Sequence, residues 1–377
     1  MSEARPLDDA DLAALRSVIG AELAVTVQPY VEYATVDSMR NFALAYGDDN
    51  PLFGREDYGR ESPWGTIVAP PLFPIATGVA APAASEPSDV VRHALRGVAV
   101  EVIDDRWTLQ QWVRPGTRLV HADSIAAIDF SETATGTTAT VTTRSTYTED
   151  DVLYATHDRV RVHGGRSIAD AVGSDDHREE RNGKARYDAR ALADIERSIT
   201  AQRRRGRVPL TASDLAVGDT IGPMVKGPLT ITDLVAYRGG VGPGPFGVQP
   251  LGLAHRNRQD RPDFYDRDDT GAWDARERLH WDEAYARRCG HPSAYDYTHT
   301  RLNWMVHLLT DWMGDCARLE MISFVHVAHN YVGDTHWIDA TVRAVDVESD
   351  VTRTTLELRG VNQRGTVTCR GDATVLL

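Results

Sequence analysis

Two copies of one pattern run through this sequence, and the repeat constrains the fold more than any other feature. Residues 35–48 have the apolar spacing of an amphipathic helix that ends at a glycine, and residues 230–243 repeat that pattern. Further along each copy, a tight turn opens a long strand, at residues 113–117 and 331–335, and two more β-rich segments follow. A helix followed by antiparallel strands predicts an α+β layer in each half, because a parallel βαβ fold needs alternating elements.

The length of 377 residues also predicts two domains, since a single hydrophobic core rarely organises so long a chain. We predict a first domain at residues 1–164, a charged and partly helical linker at 165–207, and a second domain at 208–377. The second domain carries an insertion at residues 243–278 that is rich in Pro, Gly, Arg and Asp and has no counterpart in the first. An irregular segment of this length is usually a functional loop or a lid.

Composition and charge argue against several classes of function. The net charge of −14 disfavours general binding to nucleic acid or to an anionic membrane, since both need a basic surface. The three cysteines form no CxxC pair, and no apolar run is long enough to span a bilayer. The acidic start of the chain lacks the features of a secretion signal, so we expect a cytoplasmic protein. Neither GxGxxG after a strand nor HExxH occurs, and we expect no cofactor and no metal.

Three stretches resemble a known group of enzymes. Residues 47–53, Gly-Asp-Asp-Asn-Pro-Leu-Phe, and residues 64–73, Trp-Gly-Thr-Ile-Val-Ala-Pro-Pro-Leu-Phe, resemble the N-terminal domain of MaoC-like acyl dehydratases. Residues 280–286, His-Trp-Asp-Glu-Ala-Tyr-Ala, with Gly290 beyond them, resemble the signature of the related R-specific enoyl-CoA hydratases. The resemblance extends from about residue 25 to the end of the chain.

This resemblance implies a fold, a ligand and a reaction. The fold is a double hot-dog, in which each half wraps an antiparallel sheet around a long helix and the two sheets join edge to edge. We expect the two long helices near residues 37–46 and 232–238. Family members hydrate a trans-enoyl group or dehydrate a 3-hydroxyacyl group, so the expected ligand is an acyl-CoA or acyl-carrier-protein thioester. A homodimer, or a hetero-oligomer with another hot-dog protein, is the expected assembly.

The first half departs from the family's catalytic pattern. The family uses an Asp and a His at a set spacing, together with a backbone N–H on the next helix that binds the thioester oxygen. Asp48 and Asn50 stand where the acid and its neighbour belong, but Phe53 occupies the His position. The backbone donor falls at Pro70 or Pro71, and proline has no N–H to donate. The first-half site is therefore predicted to be inactive.

The second half keeps the histidine and the donor but not the acid. His280 matches the catalytic histidine, and the resemblance places the backbone donor at Thr298. The family's Asp position falls near Pro243, where the insertion begins. A replacement acid could come from the insertion or from the signature itself, and the candidates are Asp260, Asp263, Asp266, Asp274 and Asp282.

The sequence thus gives two sets of candidate site residues. The predicted catalytic residues are His280, Asp48 and Asp282, although Asp48 and Asn50 could instead stabilise the turn after a helix. The predicted substrate-binding residues are Asn50, Tyr237, Arg256, Arg258, Tyr295, Tyr297 and Thr298. Arg256 and Arg258 belong to a short basic cluster that could bind the phosphates of a carrier or could simply be a solvated loop. Thr298 could cap the helix that follows it and act as a donor at the same time.

The predicted function is that of a hydro-lyase on a 3-hydroxyacyl or enoyl thioester, with His280 as general acid and base. Two alternatives stay open. Because the Asp-His pair is incomplete in both halves, the chain could be a non-catalytic thioester-binding partner of another hot-dog subunit. It could also be a cyclase that uses the same tunnel for an intramolecular conjugate addition.

Overall fold

The structure is a computed structural model, and it describes residues 5–25, 29–133, 136–164, 184–242, 250–348 and 351–377. Pro243 and the rest of residues 243–249 in the insertion, and residues 165–183 of the linker, therefore lie outside the described residues. None of the helices in the described ranges is long and apolar enough to cross a membrane.

Helices occur before and between the strands of each half. Their bounds are α1 Asp9–Arg16, α2 Val36–Ala45, α3 Glu56–Arg60, α4 Ser85–Ala94, α5 Ala189–Ala201, α6 Ile231–Val241, α7 Leu251–Asp260, α8 Glu283–Arg288 and α9 Thr298–Met313.

The strands form one large sheet and a small hairpin. Their bounds are β1 Glu22–Leu23, β2 Val79–Ala80, β3 Val100–Leu109, β4 Val120–Thr133, β5 Gly136–Glu149, β6 Val152–His163, β7 Thr220–Lys226, β8 Tyr265–Arg267, β9 Trp273–Ala275, β10 Arg318–His326, β11 His336–Glu348, β12 Val351–Asn362 and β13 Val367–Leu376. The large sheet has the order β1-β4-β5-β6-β3-β10-β13-β12-β11-β7, and β2 pairs with β4. The hairpin β8-β9 lies within the insertion.

The two halves join edge to edge at one strand pair. β3 of the first half runs antiparallel to β10 of the second, with Thr108 opposite Met321 and Asp104 opposite Val325. The expected double hot-dog architecture is therefore confirmed, because each half contributes an antiparallel meander and the two meanders make one continuous sheet.

The helices that the repeat predicts form, but they do not lie inside the sheets. Thr35 caps α2 and Thr230 caps α6 through the same capping box. The two helices pack against each other, and a Cβ at Gly240 would come within 2.5 Å of the carbonyl oxygen of Asn41. The prediction that the wrapped helices lie at residues 37–46 and 232–238 is wrong. A glycine at this crossing lets α2 and α6 approach closely instead.

The long helix wrapped by the second-half sheet is α9. Its residues 300–311 are all buried, and its apolar side chains join those of β10 to β13 in the main core. The matching face of the first half is covered differently. There α1 and α4 pack their apolar side chains on Ile125, Ile128 and Val141, which leaves the rest of that sheet face to other side chains.

Candidate active site at the start of helix α9

His280 ends a 3-10 turn, Arg276–His280, and lies between two tyrosine rings. Its ring centroid is 4.9 Å from that of Tyr295 and 4.1 Å from that of Tyr297. The Nδ1 atom lies 2.8 Å from the carbonyl oxygen of Tyr295. Because a carbonyl can only accept, Nδ1 carries the proton and Nε2 of the neutral ring keeps a lone pair. Burial lowers the pKa of His280 to about 4, so the ring is a neutral base at pH 7.

The first turn of α9 lies next to this histidine. Tyr297 is the N-cap residue and Thr298 the first helical residue. The N–H of Thr300 donates to the carbonyl of Tyr297, whereas the N–H groups of Thr298 and His299 have no preceding helical carbonyl to bind. The helix dipole adds partial positive charge at the same point. A helix start beside a base can hold an oxyanion, which agrees with the donor role that the resemblance implies for Thr298.

A buried ion pair holds this helix start in place. Arg301 Nε lies 2.9 Å from an Asp296 oxygen, and both side chains are fully buried. Asn330 donates to the same oxygen at 3.0 Å, and the backbone N–H of Asp296 donates to the carbonyl of Asn330. These bonds connect the segment before α9 to the loop before β11. Because Asp296 lies between Tyr295 and Tyr297, the bonds also hold the backbone of both tyrosines in place.

The predicted binding residue Tyr237 also belongs to this region. It is buried on α6, its ring stacks on that of Tyr297 at 5.7 Å, and its hydroxyl accepts a hydrogen bond from Asn303 at 3.2 Å. The structure thus brings together four of the residues selected from the sequence: His280, Tyr237, Tyr295 and Tyr297.

Glu277 is the acidic residue at this site that sequence reasoning missed. It pairs with Arg238 at 2.7 Å, and both side chains are largely buried. Burial raises the pKa of Glu277, while the charge on Arg238 opposes that shift. Burial and then the charge of Glu277 raise the pKa of the Tyr297 hydroxyl. Glu277 can therefore influence His280 through Tyr297, whose ring contacts the histidine. Its place in the insertion, three residues before His280, is the one signal that could have identified it.

The acids proposed from the sequence lie elsewhere. Asp282 caps α8 by accepting the N–H of Tyr285 at 2.9 Å, which is a structural role. Asp266 lies beside the Tyr285 hydroxyl and Asp274 beside Arg278. Asp260 ends α7, and the side chain of Asp263 lies outside the described part of the chain. Within the described residues, no carboxylate forms a hydrogen bond with His280.

Asp48 belongs to a second buried cluster at the other end of α9. One of its oxygens lies 3.7 Å from Nε2 of His307, whose ring is also 3.5 Å from Asp311. Lys226 lies 2.7 Å from Nδ1 of His307. Burial raises the pKa of Asp48 and lowers that of Lys226 to about 8.

This cluster and the His280 site are far apart. Thr310 lies 3.4 Å from Asp48, whereas Tyr297 contacts His280. Thirteen residues of helix separate these two contacts, or about 20 Å at roughly 1.5 Å per residue. The predicted binding residue Asn50 stays with Asp48. Its side chain caps the turn at Leu52 and donates to Asp315, so it is buried inside the protein.

Two groups of side chains have the spacing of metal ligands. They are Asp48, His307 and Asp311, and Asp105, His157 and His299. A basic side chain pairs with the carboxylates of each group: Arg204 with Asp48 and Asp311 in the first, and Arg159 with Asp105 in the second. These cations offset the charge of the carboxylates, so both groups are buried ion-pair networks.

Arg256 and Arg258 lie on α7, away from the core. Arg256 is exposed, and Arg258 stacks over the ring of Trp273 with its guanidinium carbon 4.7 Å from the centroid. His255 lies 3.2 Å from Arg258. The helix therefore presents a basic surface next to the hairpin β8-β9, in keeping with either interpretation of this cluster.

The comparisons with known proteins agree on the fold. Residues 17–157 match a family model described as the FAS1-like dehydratase domain region. A search of curated proteins finds no match. A solved MaoC-like dehydratase superposes with a TM-score of 0.62 at 15% identity, with 96% of this chain and 99% of that one covered.

Two further solved structures share the whole architecture. A putative MaoC domain dehydratase from Chloroflexus aurantiacus has a TM-score of 0.56 at 12% identity, with 95% of each chain covered. A double hot-dog protein from Mycobacterium tuberculosis, described as a conserved hypothetical protein, has a TM-score of 0.53 at 11% identity, with 96% of this chain and 97% of that one covered. The fold expected from the resemblance is thus confirmed: the chain has the double hot-dog fold of these solved MaoC-like proteins, and residues 17–157 match the FAS1-like dehydratase region.

Proposed function

We propose that this protein is a hydro-lyase that adds water to an enoyl thioester, or removes it from a 3-hydroxyacyl thioester, at the His280 site. One observation carries the proposal. The hydrogen bond from Nδ1 to the carbonyl of Tyr295 leaves Nε2 as an unprotonated base beside the N–H groups of Thr298 and His299 at the start of α9. A base next to an oxyanion site is what water addition to an enoyl thioester needs.

In the hydration direction, His280 Nε2 takes a proton from water while the water oxygen bonds to C3. The C2–C3 π electrons move toward the thioester carbonyl, and the resulting enolate oxygen accepts hydrogen bonds from the N–H groups of the first turn, with Thr298 foremost. The imidazolium then returns the proton to C2, and the thioester carbonyl re-forms. One group takes and returns the proton, which suits a site where no carboxylate bonds to His280 in the described part of the chain.

The test is turnover with a panel of enoyl and 3-hydroxyacyl thioesters, on coenzyme A and on a carrier protein, followed by mass spectrometry. The proposal expects a mass change of one water and its loss in His280→Gln. Unchanged turnover in that variant would place the chemistry elsewhere.

The alternative is a non-catalytic thioester-binding subunit, and the lack of a carboxylate bonded to His280 among the described residues favours it. Calorimetric binding of a saturated acyl-CoA without turnover of any thioester would support this alternative. In the same experiments, native mass measurement tests whether the chain forms a homodimer or binds another hot-dog subunit.

A further inference from the structure

The inner face of the first-half sheet carries charged and aromatic side chains where an apolar face would be expected. On β6, residues 157, 159, 161 and 163 share this face, and all four are His or Arg. The opposite residues on β3 include Asp105 beside Arg159 and Trp107 beside His157. Helices α1 and α4 cover only the part of the face near β4 and β5.

Most of these charges are neutralised locally. Asp105 is fully buried and accepts from Nε2 of His157 at 2.6 Å and from Nε of Arg159 at 2.8 Å. Arg159 also donates to the ring of His299, 2.6 Å from its Nε2 atom. Burial is the largest influence on Asp105 and would raise its pKa, but the positive charge of Arg159 and the histidines outweighs it and lowers the pKa. Arg159 is therefore held between Asp105 and His299.

Arg161 is different. It lies between Val102 on β3 and Val141 on β5, and among the described residues its guanidinium forms no hydrogen bond or ion pair. The nearest acids are already occupied, Asp105 as above and Asp123 by His121 and Ser145. Burial, and then the charge of Arg159, lower the pKa of Arg161 to about 10, so it stays charged at pH 7.

An uncompensated charge in such surroundings is costly, because a desolvated ion loses hydration that only a counter-ion replaces. The side chain of Arg161 still keeps some contact with solvent. A partly exposed guanidinium that has no partner among the described residues suits a planar anion such as a carboxylate, which it can bind through two parallel hydrogen bonds.

Arg161 is linked to the candidate active site through β6 and α9. His299, which accepts from Arg159, is two residues beyond Tyr297, and Tyr297 contacts His280. Burial raises the pKa of Tyr295, the other tyrosine beside His280, and the charge of Glu101 on β3 raises it further. The end of β3 and β6 that carries Arg161 and the first turn of α9 are therefore neighbouring parts of one region.

We propose that Arg161 binds a carboxylate on the acyl chain, so that the substrates are monothioesters of unsaturated or 3-hydroxy dicarboxylic acids. The reaction in this inference rests on the proposed function. The carboxylate site at Arg161 does not depend on it. Val102 and Val141 beside Arg161 would contact the methylene groups next to the carboxylate. Arg159, held by Asp105 and His299, keeps the region positively charged without itself binding the ligand.

The test compares CoA thioesters of enedioic acids with those of neutral enoic acids, matched in length, across a series of chain lengths. In the wild-type protein we expect kcat/KM to favour the enedioic series by about tenfold to a hundredfold, the worth of one charged hydrogen bond. Arg161→Gln should remove that preference and leave kcat/KM for the neutral series unchanged. Arg144→Gln, on the outer face of β5 and paired with Asp158, is the matched control and should change neither series.

Equal wild-type kcat/KM for both series, or an equal loss for both in Arg161→Gln, would overturn the proposal. If Arg161→Gln does not fold, two other results test the proposal. One is the wild-type preference for the enedioic series, and the other is a reduced preference in Arg161→Lys, which keeps the positive charge but lacks the two parallel N–H donors. If no thioester is turned over, the proposed hydro-lyase function is wrong. Calorimetry with a saturated dicarboxylic monothioester then tests the anion site alone, through preferential binding over its neutral analogue that Arg161→Gln abolishes. Equal affinity for both would refute the site.

Discussion

The Nδ1 atom of His280 lies 2.8 Å from the carbonyl oxygen of Tyr295, and this bond decides which nitrogen of the ring can act as a base. The same loop that supplies the carbonyl leads into α9 within three residues. The base and the oxyanion donors are therefore positioned by one short segment, so a change in that segment should affect both.

His280→Gln should lower kcat by about 10²- to 10⁴-fold, because a general acid-base group contributes about that much. A glutamine at this position can still donate a hydrogen bond to the Tyr295 carbonyl. The variant therefore removes the base while it keeps the contact that holds the loop before α9. Phe53→Ala is the comparison. Phe53 is buried beside Leu52 and Val68, so its truncation should cost about 3–5 kcal/mol of stability with a smaller effect on kcat. Wild-type turnover by His280→Gln would refute the site.

The pH profile tests the state of His280. Its pKa is lowered to about 4 by burial, so the ring stays almost entirely neutral down to about pH 5 and is half protonated near about pH 4. The kcat/KM should therefore stay level as the pH falls from about 7 to about 5, and it should drop only near about 4. Circular dichroism at each pH separates this drop from unfolding. A drop centred near about 6.5, the ordinary value for histidine, would show an exposed base instead.

The repeat could be predicted from the sequence because its signals are local. Thr35 and Thr230 each cap a helix through a side chain three residues on, and such caps are visible in sequence. The wrapped helix α9 was harder to identify. It begins at Tyr297 without a side-chain cap, and buried Arg301, His307 and Asp311 interrupt its apolar pattern. Their partners are remote in sequence, as Arg204 is from Asp311, so no local pattern indicates that these polar side chains are buried.

Sequence spacing predicts only those site residues that belong to a motif. His280 stands at a fixed distance from an alanine and a glycine, and the structure places it beside α9. Glu277 and Arg238 have no such spacing. Their contact depends on how the insertion folds back onto α6, which is a tertiary feature.

Glu277→Gln tests whether the buried Glu277-Arg238 pair assists the reaction. If the carboxylate orients the Tyr297 hydroxyl for proton transfer, the variant should lower kcat by about tenfold or more and change KM little. Glu283→Gln is the matched control, because Glu283 lies at the start of α8 and pairs with Lys184. An unchanged kcat in Glu277→Gln would leave the pair with a structural role only.

Asp48→Ala tests the second cluster. Removing one partner of a buried ionic network should lower the free energy of unfolding by about 3–5 kcal/mol, because Arg204 and Lys226 lose a counter-charge. Asp49→Ala is the control. Asp49 is exposed and pairs only with Arg204, so its removal should cost about 1 kcal/mol or less. Chemical denaturation measures both. A fall in kcat of the folded Asp48→Ala protein as large as that of His280→Gln would instead support the catalytic role predicted from the sequence.

The last prediction concerns the basic surface of α7. Arg256 is exposed and Arg258 is held over Trp273, so both can meet the phosphates of coenzyme A without rearranging the core. Replacing both with glutamine should raise KM for a CoA thioester several-fold and leave kcat unchanged. The rise should be larger at low salt, because the screening length falls from about 30 Å at roughly 0.01 M salt to about 3 Å at roughly 1 M.

The control substrate is the same acyl group on N-acetylcysteamine, which has no phosphate, and its KM should not respond to the double substitution. The control variant is Arg343→Gln, which breaks an exposed pair with Glu357 on the far part of the sheet and should leave both substrates unaffected. If the double variant raises KM equally for both substrates, α7 contacts the acyl chain or shapes the site rather than the phosphates. If it changes neither KM, the basic cluster is a solvated surface, and carrier recognition must come from another part of the chain.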